Sequence, residues 1–346
     1  NRSTFCNPRL LLKGKEVQTV SDASFSDSGN NNLQKLSVTF TEPELEGINL
    51  FNEKIEFYLN YGSEDGSPLF RGYVKEFSAS EDKVSISALD PRTFISGKDS
   101  LPIVIDDKNN YDGFSVIQYI ADVLDNHLNV NKTILSSEAL QEMDKPIFMT
   151  GVRQADPPYD ILKSKVKMQR DSDDILKIYE YFLSVHHGGT NSSLTLSKTK
   201  SLDSIPDLIY TYRNGIKKVS YKERAPPSFG IATASDGSTV RFDYGNAPKG
   251  NVGIKVESDK EVLSRAEARE EAVVEVLLKQ EEDKEITIQV TKGYHLELGS
   301  IIRIDVADSN IAGQYRLTGK SIKYGKSGVT CSFQLNNKPI KVSDYI

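Results

Sequence analysis

A hairpin predicted at residues 68–91 constrains the fold more than any other stretch of the chain. Apolar and polar residues alternate on both sides of a charged turn at residues 81–83, and a period of two is typical of half-buried strands. The outgoing strand, residues 84–88, ends at Leu89-Asp90-Pro91. Proline cannot donate to a strand ladder, and it holds the residue before it extended. An antiparallel hairpin with defined ends is therefore predicted.

Further short strands surround this hairpin. Alternation is clear at residues 33–40 and 55–59, and Asn and Gly mark a polar turn at residues 26–32. Several short strands with turn signals between them favour a small barrel or sandwich. We predict a β-barrel-like domain over residues 1–99. The side chains expected in its core are Leu36, Val38, Phe40, Ile55, Phe57, Ile86 and Ala88.

The period changes after residue 100. One amphipathic helix is predicted at residues 114–128, and a second at residues 175–185 after an acidic first turn at residues 171–174, where carboxylates complement the helix dipole. Gly188-Gly189 ends the second helix, and a strand follows at residues 193–197. The pattern predicts an α+β domain over residues 100–206. The expected apolar face of the first helix comprises Val116, Ile117, Ile120, Ala121, Leu124 and Leu128.

The last part of the chain is again dominated by strand patterns. Two strands are predicted at residues 208–212 and 217–221, and loops at 225–230 and 244–253. A capping box, Ser258-x-x-Glu261, predicts the start of a long helix at residues 261–280. Five short strands follow, at residues 285–290, 298–306, 313–317, 321–324 and 329–335. The apolar side of the helix is predicted to hold Val262, Ala266, Val273, Val276 and Leu277.

The fold class predicted from these patterns is α+β and mostly β. Two small antiparallel β-barrel-like domains, residues 1–99 and 207–346, flank the α+β domain, and the long helix is inserted in the second of them.

Composition argues against several classes of protein. With 27% charged and 38% hydrophobic residues among 346, the chain is predicted to fold rather than to remain disordered. A net charge of −6 without a basic cluster argues against a protein held to duplex DNA by phosphate contacts. No apolar run reaches the roughly 18 residues that span a bilayer, and no signal-peptide pattern follows residues 1–4. Cys6 and Cys331, far apart in sequence, are predicted to be buried thiols.

No constellation predicts catalysis. His186 and His187 are adjacent, whereas two histidines that bind one ion from a helix stand four residues apart, so the pair is predicted to be a polar helix end. Acidic residues 171–174 lack the glycine and distal glutamate of a calcium loop, and residues 281–283 are predicted to be a solvated face. We predict no catalytic, cofactor-binding or metal residues and no enzymatic activity.

The order of several loose motifs resembles a known family. The segment Ser264-Arg-Ala-Glu-Ala268 leads to strand residues 286–290, then to a turn at Gly299 and to Gly313-Gln-Tyr315 before a last hairpin. Together with the Phe70-Arg-Gly72 strand, this order is similar to phage tail baseplate hub proteins, the gene 27-type hubs and the late-control D family.

The resemblance implies a structural role in a tail. Three copies would form a ring of pseudo-sixfold symmetry, because two similar domains in three subunits present six similar surfaces. The ring would join the sixfold tail tube, or a distal tail protein, to a threefold spike or fibre. Its channel would let DNA and the tape-measure protein pass, and a mildly acidic wall suits such passage. The implied location is the virion tail, assembled in the host cytoplasm without membrane insertion by this chain.

Two other functions remain open from the sequence. A receptor- or carbohydrate-binding tail adhesion protein would require an exposed aromatic cluster, and the 16 tyrosines could supply one in the absence of tryptophan. A tail-associated cell-wall hydrolase would require an acid–base pair that converges in a cleft.

Overall fold

The structure is a computed structural model. It describes residues 8–17, 19–28, 32–41, 48–59, 66–80, 83–96, 111, 113–123, 135–136, 158–159, 162, 168–170, 176–178, 181–188, 191–198, 200–223, 226–244, 253–256, 264–280, 284–308 and 310–336.

The first region contains seven strands paired antiparallel. The predicted hairpin is present, and the predicted core is confirmed: each of the seven expected side chains is at most 3% exposed. A side chain on Gly72 would collide with the Leu89 carbonyl oxygen, 2.3 Å from the added Cβ, so the hairpin strands approach closely there. The strands are β1 (Arg9–Leu12), β2 (Lys15–Glu16), β3 (Thr19–Ser28), β4 (Lys35–Thr41), β5 (Lys54–Tyr58), β6 (Phe70–Ser80) and β7 (Lys83–Leu89).

A short 3₁₀ helix, Pro91–Phe94, leads from β7 into the middle region. This region has its own core, built from Val116, Tyr119, Tyr159 and the strand residues Leu194 and Leu196, among others. Its elements are α1 (Val116–Asp122), β8 (Leu135–Ser136), β9 (Met168–Arg170), β10 (Leu176–Ile178), β11 (Tyr181–His186) and β12 (Ser192–Lys198).

The predicted helix at residues 175–185 is wrong. Residues 176–178 and 181–186 form β10 and β11, and β11 pairs antiparallel with β12. Leu183 and Val185 are buried at alternate positions, whereas Ser184 between them is only partly buried. A short apolar run has no decisive period, and the partner strand β12 decided the conformation. The strand predicted at residues 193–197 is confirmed as β12. The acidic residues 171–174 lie outside the described residues.

Helix α1 begins two residues later than predicted, and its buried face is rotated relative to the prediction. A capping box between Ser115 and Gln118 begins it. Val116 and Ile120 are buried as expected, but Ile117 is 43% exposed, and Tyr119 packs into the core instead. Tyr119 fits there because its hydroxyl donates to the Pro158 carbonyl oxygen at 3.0 Å, which satisfies its one polar group. Leu124 and Leu128 lie outside the described residues.

The last region returns to the large sheet through six strands. Two strands predicted at residues 313–317 and 321–324 are one long strand in the structure. Cys331 is buried, as predicted, and Cys6 lies outside the described residues. The six strands are β13 (Leu208–Tyr210), β14 (Ile216–Glu223), β18 (Lys284–Val290), β19 (Ile301–Ile304), β20 (Gly313–Gly325) and β21 (Gly328–Asn336).

Strand β20 joins the two ends of the chain. Its first residues pair with β19, and residues 319–324 pair antiparallel with residues 23–28 of β3. A register shift between Leu317 and Gly319 lies where the partner changes, and such an irregularity bends a strand. Thirteen strands of the described chain thereby form one sheet over one shared core.

A small unit inserted between β14 and β18 was missed in part by the sequence analysis. Strands β15 (Phe229–Thr233), β16 (Thr239–Asp243) and β17 (Gly253–Val256) form a three-stranded sheet covered by α2 (Arg265–Gln280). Phe229 and Gly230, predicted in a loop, belong to β15. The strand was obscured because proline and glycine around it resemble loop composition.

The long helix starts four residues later than predicted. Its capping box is Ser264-x-x-Glu267: the Glu267 amide donates to Ser264 Oγ at 3.2 Å, and the Ser264 amide donates to Glu267 Oε2 at 2.9 Å. Ser258 and Val262 lie outside the described residues. Of the predicted apolar side, Val273 and Val276 are buried and Ala266 is exposed. The side chain of Leu277 also lies outside the described set.

The predicted fold class, α+β and mostly β, is confirmed. The barrel-like shape and the boundaries of the three domains stay predictions. Within the described ranges, no helix has the length and apolar character needed to cross a membrane.

Replacing Phe57 by alanine should lower the free energy of unfolding by about 3–5 kcal/mol, because this ring is 1% exposed and its loss leaves a cavity. The measurement is denaturant unfolding followed by circular dichroism. Phe51 is 57% exposed, so Phe51→Ala should cost less than about 1 kcal/mol. Equal midpoints for wild type and Phe57→Ala would contradict the assigned register.

Candidate functional site

A buried ion pair lies where the first region meets the middle region. Asp90 and Arg92 are 0% and 1% exposed. Arg92 Nη2 donates to Asp90 Oδ2 at 2.6 Å, and Arg92 Nε donates to Oδ1 at 3.0 Å. The same carboxylate accepts the backbone amides of Arg92 and Gln34, at 2.9 and 2.6 Å. Two oxygens thus bind four donors, which compensates the desolvation of the charges.

The guanidinium of Arg92 reaches across the junction. Its Nη1 donates to the Tyr159 hydroxyl and, at 3.3 Å, to the Leu183 carbonyl oxygen on β11. Its Nη2 also donates to the Asn32 carbonyl oxygen at 3.0 Å. Burial raises the pKa of Tyr159 to about 12, so the phenol remains neutral at physiological pH. One planar side chain therefore links Asn32 before β4 and Asp90 after β7 to the middle region with fixed geometry.

A second network of buried hydrogen bonds shares Gln34 with this ion pair. His187 Nε2 lies 2.6 Å from Gln34 Oε1, and His187 Nδ1 lies 3.0 Å from Ser192 Oγ. Gln34 Nε2 donates to Asp27 Oδ2 at 3.0 Å. The amide oxygen of Gln34 can only accept, so Nε2 of His187 carries the proton and Nδ1 accepts from Ser192.

Burial sets the charge states of the side chains in this network. It lowers the pKa of His187 to about 3, against the opposing effect of the Asp90 carboxylate, and the cations Arg71 and Arg92 act in the same direction as burial. Burial also raises the pKa of Asp27 above its usual value, although Lys320 and Arg92 oppose the shift. His187 is therefore a neutral donor and acceptor, which suits a structural bridge.

A cleft of about 290 Å³ opens above these groups, and all three regions line it. On its rim, His186 Nδ1 contacts Glu297 Oε1 at 2.8 Å. This contact raises the pKa of His186 and lowers that of Glu297, against the opposing effect of burial. Lys320 Nζ donates to the carbonyl oxygens of Tyr294 and Leu296, at 3.3 and 2.9 Å. The contact between His186 and Glu297 thus joins the middle region to the last region at the cleft.

The histidine pair differs from its prediction in conformation and role. His186 ends strand β11 rather than a helix, and His187 follows it. Adjacent residues of an extended chain point to opposite sides, so His186 binds Glu297 on the rim and His187 is buried beneath. Among the residues that the structure describes, no group of three His, Cys, Asp or Glu side chains could hold a metal ion. Residues 281–283 lie outside that set.

Sequence reasoning identified Asp90 only as part of a strand end, and it missed Arg92, Gln34 and Asp27. An aspartate before Pro91 and an arginine after it do give a local signal, because Asp90 caps the 3₁₀ helix. Gln34 carries no comparable signal, since its partner His187 lies 153 residues away in sequence, and Asp27 joins the network through Gln34.

Comparison with solved structures identifies the architecture. The tail protein from Neisseria meningitidis MC58 superposes with a TM-score of 0.68 over 97% of this chain and 98% of its own length, at 13% identity. The 43 kDa tail protein of prophage MuSo2 from Shewanella oneidensis gives 0.67 over 96% of each chain, at 11% identity. The chain has the fold of phage tail proteins. The resemblance inferred from the sequence is confirmed at the level of the fold.

A third structure extends the phage tail fold to secretion systems. A component of the E. coli type VI secretion system, described as structurally similar to the T4 tail proteins gp27 and gp5, gives a TM-score of 0.52 at 9% identity, over 96% of this chain and 79% of its own. No family model and no curated protein matches the sequence.

Removal of the Asp90 carboxylate should strongly destabilise the folded protein. Asp90→Ala leaves Arg92 charged and buried, and we expect it to lower the free energy of unfolding by about 3–5 kcal/mol. The double variant Asp90→Ala with Arg92→Met should lose less than the sum of the two single losses, because it removes both charges. Denaturant midpoints of the four proteins form the test.

The exposed pair of Arg9 and Glu16 provides the matched control. Its side chains are 43% and 50% exposed, so Glu16→Ala should leave the denaturant midpoint nearly unchanged. Additive losses at Asp90 and Arg92 would show that the two residues do not act as a unit.

Protonation of His187 should weaken the fold as pH falls. Between pH 6.5 and about 3 the unfolded chain binds a proton at this imidazole and the folded chain does not. The free energy of unfolding therefore decreases with falling pH, by up to about 1.4 kcal/mol per pH unit from this group. His187→Gln should show a smaller drop in denaturant midpoint between pH 7.5 and 5.

Ser192→Ala separates this titration effect from the loss of a hydrogen bond. It removes one partner of His187 but keeps the imidazole, so it should lower the midpoint at both pH values and retain the pH dependence. A wild-type drop no larger than that of His187→Gln would mean that His187 is not a buried neutral histidine.

Proposed function

We propose that this protein is a structural tail or baseplate hub that forms a homotrimeric ring. The observation that carries the proposal is the similarity to phage tail proteins over at least 96% of the chain, which includes both β-rich regions and the middle region. A local similarity would leave the role of the remaining regions open. The similarity found here extends over all three regions of the chain.

The continuous sheet supports a ring of this kind. A subunit that presents two similar surfaces to a sixfold tube must hold them at a fixed spacing and angle. The ladder between β3 and β20 joins the first and last regions by backbone hydrogen bonds, and the Asp90–Arg92 pair fixes the middle region to the first. A packed sheet with a shared core transmits force without a hinge.

The partners proposed for the ring follow from its position. One face binds the tail tube or a distal tail protein, and the other binds a threefold spike or fibre protein. DNA and the tape-measure protein pass through the channel without a sequence-specific grip. The ring belongs to the tail tip of a virion, assembled in the host cytoplasm, and this chain does not insert into a membrane.

The chain acts in this role without catalysis. Four polar side chains beneath the cleft are joined to one another by the hydrogen bonds described above. They are Asp27, Gln34, His187 and Ser192. Such a fixed network suits a mechanical junction between regions.

Light scattering coupled to size-exclusion chromatography tests the ring. The expected mass is three times 38.5 kDa, measured over a concentration series, alone and with the spike partner. A monomer at every concentration, with and without the partner, would contradict the proposal. Specific glycan binding by the isolated chain would favour an adhesion protein instead, and clearing of cell-wall material in a zymogram would favour a hydrolase.

A further inference from the structure

The small inserted unit carries an unusual groove at one edge of its sheet. The strand order is β16-β15-β17, and no strand among the described residues pairs with the outer side of β16. Between that edge and the start of α2 lies an open groove of about 530 Å³. It is lined by Thr239, Val240, Arg241, Arg265, Ala266 and Arg269.

The positions of Arg265 and Arg269 do not stabilise helix α2. Arg265 and Arg269 are exposed, stand four residues apart and occupy the first turns of α2. The amino-terminal end of a helix carries partial positive charge, so cations in the first turn are unfavourable. Arg265 does act on Asp236, whose pKa it helps to lower, after the larger effect of hydrogen bonds from Ser238. Helix formation therefore does not account for this pair.

Arg241 presents a third guanidinium on the other side of the strand. Val240 and Phe242 of β16 pack toward the core beneath α2, so the alternation of a strand turns Arg241 to the opposite face. Its Nε and Nη2 donate to Asp243 Oδ1 at 2.8 and 2.6 Å, and its guanidinium carbon lies 3.9 Å from the centre of the Phe229 ring. The group is held in place yet remains 53% exposed.

We propose that the outer edge of β16 binds an extended acidic peptide segment of a partner protein as a fourth strand. Such strand addition takes its affinity from main-chain hydrogen bonds and its specificity from alternate side chains. Carboxylates on the helix side of the added strand would meet Arg265 and Arg269, and those on the other side would meet Arg241. Arginine binds carboxylates through two parallel hydrogen bonds.

The chemistry of a strand edge favours a peptide over a nucleic acid. A strand edge offers carbonyl oxygens as well as amide groups, and the oxygens repel phosphates but pair with peptide amides. The arginines further discourage two copies of β16 from pairing with each other. The inference does not depend on the proposed ring, because the groove lies within one subunit.

Fluorescence anisotropy with the full chain and labelled ten-residue peptides tests the proposal. The probe alternates Glu and Thr, with one further Glu at a Thr position so that both faces carry acid. Matched probes replace every Glu by Gln or place Pro at the centre, which removes a strand hydrogen bond. The Glu probe should bind, more weakly at high salt, and both matched probes should bind at least ten-fold more weakly.

Variants of the chain complete the test. Arg265→Gln with Arg269→Gln should reduce affinity for the Glu probe at least ten-fold, while the unfolding midpoint stays unchanged because both side chains are exposed. Arg303→Gln, an exposed arginine on β19, is the control and should bind as wild type. Three outcomes overturn the proposal: no binding of the Glu probe at millimolar concentration, equal binding of the Pro probe, or tighter binding of a DNA oligonucleotide lost in the same double variant.

Discussion

The architecture depends on the pairing of β3 with β20. This ladder joins residues 23–28 to residues 319–324, so nearly the whole chain lies between two strands that are neighbours in space. Contacts of such separation carry a large entropic cost, because a long loop must be closed before they stabilise anything. Once formed, they place the first and last regions over one core. The middle region and the small α2 unit are then long insertions between strands of a single sheet.

The Asp90–Arg92 pair serves a different purpose from the apolar core. A buried ion pair contributes little net stability compared with well-packed apolar side chains, but it is satisfied in only one geometry. Here that geometry includes a hydroxyl from Tyr159 and carbonyl oxygens from Asn32 and Leu183. The network therefore determines how the middle region sits on the sheet.

Low sequence identity to the superposed tail proteins is consistent with a fold that rests mainly on its backbone ladders and apolar core. A fold that rests on backbone ladders and on alternating apolar residues accepts many sequences, and the superposed structures share 13% identity or less with this chain. The arginine-lined edge of β16 lies on the small inserted unit rather than on the thirteen-stranded sheet.

The sequence by itself determined the strands of the first region and their buried faces. Leu36, Phe57 and Ile86 were identified correctly because side-chain alternation is a local property that survives any arrangement of neighbours. The same local signal failed at residues 175–185, where a short apolar run fits either a strand or a helix and β12 decided the outcome. Only the tertiary structure could join β3 to β20, bring Arg92 to the Leu183 carbonyl oxygen or bury His187 against Gln34. Those contacts depend on distances between residues far apart in the chain, which no local pattern encodes.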